Sequence, residues 1–183
     1  MTPEPARDRP KTMTDSSATR VVMLCTGNAA RSVMGALMLS ERLPDIEVIG
    51  AGTHALEGLP MSGRTRAALA QHDLADRNHR SHQLTTADVE HADLIIAFAP
   101  EHVAYVRRAH PEAAGRTATL HHLVAELPIG DNPLDQRIAA LALTDVALDD
   151  AAEVVDPAGG DEATFVVCAD EIGVLIDALI PRL

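Results

Sequence analysis

The chain has 183 residues, of which 46% are apolar and 2% aromatic, so it can form one domain with a core of aliphatic side chains. Its formal net charge is −12 at pH 7 and its basic residues form no cluster, which argues against nucleic-acid binding and against anionic membrane surfaces. No apolar run approaches the roughly 18 residues that a bilayer span requires.

The amino-terminal residues 1–19 are polar and contain proline, without the hydrophobic stretch of a signal peptide. We therefore expect a disordered tail over 1–19 and a single domain over 20–183. The two cysteines, Cys25 and Cys168, lie far apart in the chain and form neither a disulfide framework nor a metal-ligand spacing. Free thiols are typical of a reducing compartment, so we expect a cytoplasmic protein.

The first half of the domain alternates between strand and helix patterns. The predicted elements are a buried strand over 20–25, a helix over 32–43, a strand over 45–52 and a helix over 61–74. Ser32 lies near the start of the first helix, and Ser62 is the expected N-cap of the second.

The second half continues this alternation less regularly. The predicted elements are a strand over 94–98, a helix over 101–109, a fourth strand over 116–123, a helical stretch near 134–143 and a helix over 161–180. The last helix carries one apolar face that includes Cys168, which we interpret as a core residue. We interpret the acidic run over 145–162 as a solvated surface. The scattered histidines are interpreted as surface or hydrogen-bonded residues, namely His72, His79, His82, His91, His102, His110, His121 and His122.

Alternating strands and helices along one domain predict an α/β fold in three layers, with a parallel sheet between helices on both faces. Ligands of such folds bind at the carboxyl ends of the strands. Because Cys25 ends the first predicted strand, it lies where a ligand site is expected.

Residues 25–32 (CTGNAARS) carry the chemistry predicted for this site. Small residues expose their backbone N–H groups, and a loop of them that leads into a helix N-terminus forms an anion nest. The phosphate-binding residues predicted here are Thr26, Gly27, Asn28, Ala29, Ala30 and Ser32. Gly27 is expected to supply a permissive backbone position. The same environment favours a thiolate at Cys25.

Arg31 and Asp156 complete a predicted catalytic set with Cys25. The guanidinium of Arg31 matches two phosphate oxygens and stabilises charge while phosphorus passes to sulfur. Asp156 lies in the segment VVDPAGG, where Pro157 fixes its backbone and the following glycines form a loop. It is the candidate general acid for the leaving oxygen and the candidate base for the attacking water.

This combination resembles the low-molecular-weight protein-tyrosine phosphatase family, whose signature is C-x5-R-[ST] with an acid in a distant Asp-Pro pair. Weaker similarities to the same family lie in GAGTHALEGLP (50–60), RSHQLT (80–85) and ADLIIAF (92–98). The resemblance covers roughly residues 20–180.

The resemblance implies a flavodoxin-like, phosphotyrosine phosphatase I-like fold with a four-stranded parallel sheet. It implies a phosphatase that forms a phosphocysteine on Cys25, uses Asp156 as the acid, and acts on phosphotyrosine in proteins or on small phosphate esters. Ser32 would activate the thiolate, and Asn28 and His79 would brace the loop. Neither a metal nor an organic cofactor is implied, and we expect a monomer or a weak dimer.

Several positions depart from the family pattern. Ala158 and residues 54–57 stand where the family has aromatic side chains that grip a phosphotyrosine ring. Ala30 replaces a second cysteine that some members use for redox protection, and Ala99 stands where an acidic residue often follows the third strand. These changes leave the phosphate chemistry intact and leave the preference for tyrosine open.

Two other interpretations stay open. Arsenate reductases of the same superfamily also attack their substrate with C-x5-R-S. Because no cysteine lies between 26 and 167, only a reductase that depends on a low-molecular-weight thiol fits this chain. The Asp-Pro segment favours a phosphatase, since an ester leaving group needs an acid. The third interpretation is a non-catalytic module that binds phosphate or phosphopeptides, which the complete set of nucleophile, arginine and acid disfavours.

Overall fold

The computed structural model of this chain describes residues 18–148 and 152–183. Its strands are β1 (Arg20–Cys25), β2 (Glu47–Gly52), β3 (Leu94–Ala97) and β4 (Thr117–Thr119). They form one parallel sheet in the order β2-β1-β3-β4. The four-stranded parallel sheet expected from the sequence is confirmed.

Helices connect these strands and cover the sheet. They are α1 (Arg31–Arg42), α2 (Gly63–Ala70), α3 (Thr86–His91), α4 (Pro100–Ala109), α5 (Leu120–Glu126), α6 (Leu134–Ala139) and α7 (Glu162–Leu179). Short 3-10 helices over Pro111–Arg116 and Ile180–Arg182 precede β4 and follow α7.

The side chains of β1 alternate between two core layers, as the twofold period of a strand requires. Val21, Met23 and Cys25 belong to the layer formed with α1, α2, α5, α6 and α7. Val22 and Leu24 belong to the layer formed with α3, α4 and the 3-10 helix before β4. The expected three-layer arrangement, with helices on both faces, is therefore confirmed.

The buried side chains are mainly aliphatic, in line with the scarcity of aromatic residues in the sequence. The fully buried ring of Phe98 packs on α1 at Gly35, where an added Cβ would lie 2.5 Å from Phe98 Cζ. A glycine at this point lets the Phe98 ring approach the helix backbone closely.

Among the described residues, α3 and α5 are α-helices that the sequence did not predict, and one predicted strand is wrong in its second half. The strand predicted over 116–123 ends at Thr119, and the chain continues as α5. Thr119 explains this change, because its side chain accepts a hydrogen bond from the backbone N–H of His122 and thereby caps the helix. The short helix α3 is likewise capped by a reciprocal capping box between Thr85 and Asp88.

The remaining differences concern the length of helices. Ser62 is the N-cap of α2, as expected, and accepts a hydrogen bond from Thr65 N at 3.1 Å, but the helix ends at Ala70 rather than near residue 74. The helical stretch predicted near 134–143 ends at Ala139. The strands before residue 100 and the last helix agree with their predicted ranges within a few residues.

Part of the predicted amino-terminal tail, residues 1–17, lies outside the described residues, as do Asp149 and Asp150 of the acidic run. None of the helices in the described ranges combines the length and the apolar composition that a bilayer crossing requires.

Candidate active site

Cys25 is the last residue of β1, an inner strand of the sheet that lies between β2 and β3. Its register partner is Gly52, the last residue of β2. The Cys25 side chain is buried, and its Sγ lies 3.0 Å from Ser32 Oγ in the first turn of α1. The sheet thus places this thiol at the carboxyl ends of the strands, where the sequence predicts a ligand site.

The side chain of Asn28 orients the hydroxyl of Ser32 toward the sulfur. Asn28 Oδ1 accepts a hydrogen bond from His82 N at 2.9 Å, so Nδ2 is the atom that donates to Ser32 Oγ, at 2.9 Å. Because the Ser32 oxygen accepts from Asn28, its own proton is available to donate to Cys25 Sγ. A hydroxyl donor of this kind stabilises a thiolate over a thiol.

The loop between β1 and α1 turns at Asn28, which has a left-handed φ of 48° and is 1% exposed. The expectation that Gly27 supplies the permissive position is wrong, because Gly27 has no positive φ. Asparagine tolerates this conformation better than most residues since its side chain can hydrogen-bond locally. Here that side chain is held from both sides, by His82 N and Ser32 Oγ.

Glycines of β2 let the loop lie close to the sheet. A Cβ on Gly52 would lie 2.6 Å from Thr26 O, and one on Gly50 would lie 2.8 Å from Asn28 Nδ2. The backbone that follows β2 also binds the loop, with His54 N donating to Thr26 O at 2.8 Å. Side chains at these two glycines would push the loop away from its neighbour strand.

The N-terminus of α1 is open to an anion. Its N-cap residue is Ala30, which makes no side-chain cap hydrogen bond. Unsatisfied N–H groups at a helix start, together with the helix dipole, bind phosphate and carboxylate groups. The preceding residue is fixed from α2, because Thr65 Oγ1 donates to Ala29 O at 2.8 Å.

Arg31, the first residue of α1, is 2% exposed, and the segment around Asp156 binds its guanidinium. Nη2 donates to Asp156 Oδ2 at 2.6 Å, and Nη1 donates to Val154 O at 3.0 Å. Glu153 Oε1 lies 3.5 Å from Nη1. A buried guanidinium requires such partners, because an unpaired charge in the interior is costly.

The segment that carries Asp156 is attached to the sheet. Val154 is fully buried and its N–H donates to Phe98 O at 2.8 Å, just after β3. Asp156 Oδ1 accepts a hydrogen bond from Ala158 N at 2.9 Å, and the Asp156 side chain is 42% exposed. The carboxyl group is therefore fixed near Arg31 and also open to solvent.

Two histidine rings also contact the loop. His79 Nε2 lies 3.1 Å from Asn28 O, where the family resemblance implies a brace, and burial lowers the pKa of His79. His102 is fully buried, and its Nε2 lies 3.0 Å from Thr26 Oγ1. Burial and the positive charge of Arg31 lower the pKa of His102 to about 4. No local motif distinguishes His102 from the other histidines, so the sequence did not reveal this contact.

The second cysteine is not part of this arrangement. Cys168 lies on the buried face of α7, as predicted, and burial raises the pKa of its thiol to about 12. It therefore stays protonated and unreactive at neutral pH. Within the described parts of the chain, no three His, Cys, Asp or Glu side chains are grouped so that they could hold a metal ion.

Comparisons with known proteins converge on one family. A family model described as low molecular weight phosphotyrosine protein phosphatase matches residues 20–132. The low molecular weight protein-tyrosine-phosphatase Etp of Escherichia coli (strain K12) is 32% identical over 111 residues, which cover 61% of this chain and 75% of Etp. The protein-arginine-phosphatase of Geobacillus stearothermophilus is 30% identical over 165 residues, which cover 90% of this chain and 95% of that protein.

The fold of this chain is also similar to a solved structure of the YwlE arginine phosphatase from Geobacillus stearothermophilus. The TM-score is 0.71 at 29% identity, and the match covers 88% of this chain and 90% of that structure. Asp156 lies beyond the range matched by the family model, so its place in the site rests on its contact with Arg31.

Proposed function

The chain belongs to the low molecular weight phosphotyrosine protein phosphatase family, and on this premise we propose that it is a phosphatase with Cys25 as nucleophile, Arg31 as phosphate ligand and Asp156 as general acid. The observation that carries the proposal is the 2.6 Å contact between Arg31 Nη2 and Asp156 Oδ2. This contact brings Asp156, from a segment distant in sequence, to the start of α1, which follows Cys25.

Binding of the substrate uses the loop and Arg31. The phosphate dianion would lie at the open N-terminus of α1, where backbone N–H groups and the helix dipole favour negative charge. The guanidinium of Arg31 has five N–H donors, and two of them bind Asp156 and Val154 O in the free protein. The others are left for phosphate oxygens, in the bidentate geometry that arginine allows.

The reaction would proceed in two transfers. The Cys25 thiolate, stabilised by the Ser32 hydroxyl, attacks phosphorus, and the bond to the leaving group breaks as Asp156 gives it a proton. Asp156 is then a carboxylate and takes a proton from a water molecule, which attacks the phosphocysteine. The products are inorganic phosphate and the original thiolate, and Asp156 regains its proton.

The substrate class that we propose is a phosphorylated protein, with phosphotyrosine as the first candidate. Family membership and the name of Etp as a protein-tyrosine-phosphatase support it. The mouth of the site offers few aromatic surfaces for a tyrosine ring, since position 158 is an exposed alanine. The ring of His54 packs edge-on against Tyr105, with centroids 5.6 Å apart.

Phosphoarginine is the second candidate, and the carboxylates at the mouth favour it. Glu153 and Asp156 both lie beside Arg31 and are both partly exposed. A guanidino leaving group becomes a cation when it takes a proton, so carboxylates assist its departure more than aromatic walls would. The relative from Geobacillus stearothermophilus, which matches 90% of this chain, is named a protein-arginine-phosphatase.

The proposed nucleophile is tested by comparing the two cysteines. We expect Cys25→Ser to abolish hydrolysis of 4-nitrophenyl phosphate, and Cys168→Ala to retain it, because Cys168 is a buried core residue. Acid quenching during turnover, followed by mass spectrometry, should show a single phosphate adduct on Cys25. Full activity in Cys25→Ser would contradict the proposal.

The substrate class is tested with matched peptides that differ only in the modified residue. Peptides with phosphotyrosine, phosphoserine and phosphoarginine are compared by their kcat/KM values. Faster turnover of the phosphotyrosine peptide supports the first candidate, and faster turnover of the phosphoarginine peptide supports the second. Consumption of a thiol cofactor with arsenate, without ester hydrolysis by the wild-type protein, would instead indicate a reductase.

A further inference from the structure

We propose that His102 is a positioning residue of the phosphate loop, which is the segment over 26–30 between β1 and α1. His102 holds this loop through the side chain of Thr26. The proposal rests on the function proposed above, because it concerns the geometry of the same loop. His102 is remote from the motif in sequence and contacts the loop from α4, on the side of β3.

Thr26 is held from two sides. Its hydroxyl lies 3.0 Å from His102 Nε2, and its carbonyl oxygen accepts from His54 N at 2.8 Å. One contact comes from the helix after β3 and the other from the segment after β2. The first loop residue after Cys25 is therefore fixed from both neighbouring strands of the sheet.

Other contacts hold the rest of the loop. Asn28 is bound through its side chain by His82 N and Ser32 Oγ, and Ala29 O is bound by Thr65 Oγ1. These contacts fix the turn and the helix start. Among the described residues, Thr26 Oγ1 has His102 as its hydrogen-bond partner. Loss of this contact would free the part of the loop nearest the sulfur.

The surroundings of His102 determine which ring nitrogen carries its proton. Its side chain is 1% exposed, and its Nδ1 is buried without a hydrogen-bond partner in the described residues. An orphaned buried N–H is rarer than an orphaned acceptor, so the proton belongs on Nε2 and is donated to Thr26 Oγ1. The hydroxyl proton of Thr26 is then left for a second partner at the mouth of the site.

The charges around His102 keep the ring neutral under assay conditions. Arg31 of α1 and His54 of the segment after β2 disfavour its protonation, whereas Asp156 favours it. Glu101, on the same helix, lies 3.8 Å from Nε2 and is largely exposed. Burial adds to the effect of Arg31 and holds the pKa at about 4. A single, fixed donor is what a positioning residue requires.

The experiment pairs substitutions on both sides of the contact. His102→Leu and Thr26→Val remove the hydrogen bond, whereas His102→Gln and Thr26→Ser keep a donor and an acceptor. His91→Gln is the matched control, because His91 is an exposed histidine of α3. The measurements are kcat and KM for 4-nitrophenyl phosphate, the inhibition constant of inorganic phosphate, and Tm.

We expect His102→Leu and Thr26→Val each to lower kcat/KM about tenfold, the worth of one hydrogen bond, and to weaken inhibition by phosphate. The double variant should be no worse than either single variant, because both remove the same contact. His102→Gln and Thr26→Ser should restore most of the activity, and His91→Gln should equal the wild type.

Other outcomes overturn the proposal. It is wrong if His102→Leu lowers Tm and activity while Thr26→Val, at an exposed position that cannot disturb the core, has full activity. It is also wrong if the two effects add. If Cys25→Ser is inactive and both variants have wild-type kinetics, only the positioning role fails. If Cys25→Ser is active, the proposed function itself fails.

Discussion

Arg31 is a cation that is almost wholly removed from water, with 2% of its surface exposed. Its outer nitrogens are bound by one segment, through the carboxylate of Asp156 and the carbonyl oxygen of Val154. On the proposed function, a phosphate dianion would bind the remaining N–H donors of Arg31, beside Asp156. Substrate binding and the position of the proposed acid would then be coupled through a single side chain.

Asp156→Ala tests the acid role by its dependence on the leaving group. We expect kcat/KM, which reports the step that expels the leaving group, to fall about a hundredfold with phenyl phosphate and about tenfold or less with 2,4-dinitrophenyl phosphate, whose leaving group needs no proton. Steady-state kinetics with both esters checks this. Glu153→Gln is the matched control, because it removes a neighbouring carboxylate from Arg31 and leaves the acid.

Equal losses of kcat/KM with the two esters in Asp156→Ala would show that Asp156 pairs with Arg31 and does not protonate the leaving group. A dependence on the leaving group in Glu153→Gln as strong as that in Asp156→Ala would assign the acid to Glu153. The two variants together therefore separate proton donation from the pairing of Arg31.

Sequence and structure agree best on residues whose chemistry is local. Cys25, Arg31 and Ser32 lie within eight positions, so their spacing alone predicts that they surround one anion. Asp156 is separated from Arg31 by 125 positions, and its Asp-Pro context together with the family resemblance pointed to it. His102 has no motif of its own, and a contact between side chains on different elements determines its position. Such contacts depend on the packing of α4 against β1 and β3, which sequence spacing does not encode.

At the scale of elements, the end of β2 determines how closely the phosphate loop approaches the sheet. Gly52 has a backbone conformation that any residue can adopt, but an added Cβ would lie 2.6 Å from Thr26 O and 2.9 Å from Ala55 Cβ. Neither neighbour is the far end of a flexible side chain, so the backbone itself must move. The loop geometry is thus set by an element that contributes no functional side chain at this position.

Gly52→Ala is predicted to displace the loop and to lower kcat/KM about a hundredfold, since a displacement of about 1 Å can cost that much. The free energy of unfolding should fall by about 1–3 kcal/mol, as for other overpacked sites. Enzyme kinetics and urea unfolding measure the two effects. Gly63→Ala is the matched control, because Gly63 has ordinary dihedral angles and open space around its Cβ position. Wild-type kinetics in Gly52→Ala would show that the loop tolerates the shift.

The elements that were predicted incorrectly share one cause. Around residues 116–123, threonine and apolar side chains alternate as in a strand, but Thr119 also serves as an N-cap and ends β4 after three residues. In α3, the capping box between Thr85 and Asp88 was a readable signal for a helix too short to show periodicity. Local capping therefore outweighs the hydrophobic pattern wherever an element has fewer than about eight residues.

At the scale of the whole molecule, the parallel sheet explains why the site could be located in advance. The segments after β1, β2 and β3 all leave the same edge, so Cys25, His54 and the Phe98 carbonyl that holds Val154 are brought together. That statement needs only that the strands are parallel, which the alternation of strands and helices predicts. Distances and burial at the same edge depend on packing between elements and come only from the structure.

Buried histidines make the stability of the whole domain depend on pH. The pKa of His102 is about 4 in the folded protein, against an ordinary value near 6.5, because burial and Arg31 disfavour its protonated form. Between these values the unfolded chain binds a proton that the folded chain does not, so the free energy of unfolding decreases as the pH falls. His79, whose pKa burial also lowers, acts in the same direction.

We therefore predict that acidification from pH 7 to pH 4 destabilises the protein, with His102 contributing about 3 kcal/mol at most, since one pKa unit equals about 1.4 kcal/mol. Urea unfolding at pH 7, 6, 5 and 4 measures the slope. His102→Gln cannot titrate in this range, so it should lose less stability than the wild type on acidification. His91→Gln, at an exposed position, should keep the wild-type slope. Parallel slopes for the wild type and His102→Gln would mean that the ring is already protonated in the fold or is reached by water. In either case His102 would no longer be the fixed neutral donor on which the contact with Thr26 depends.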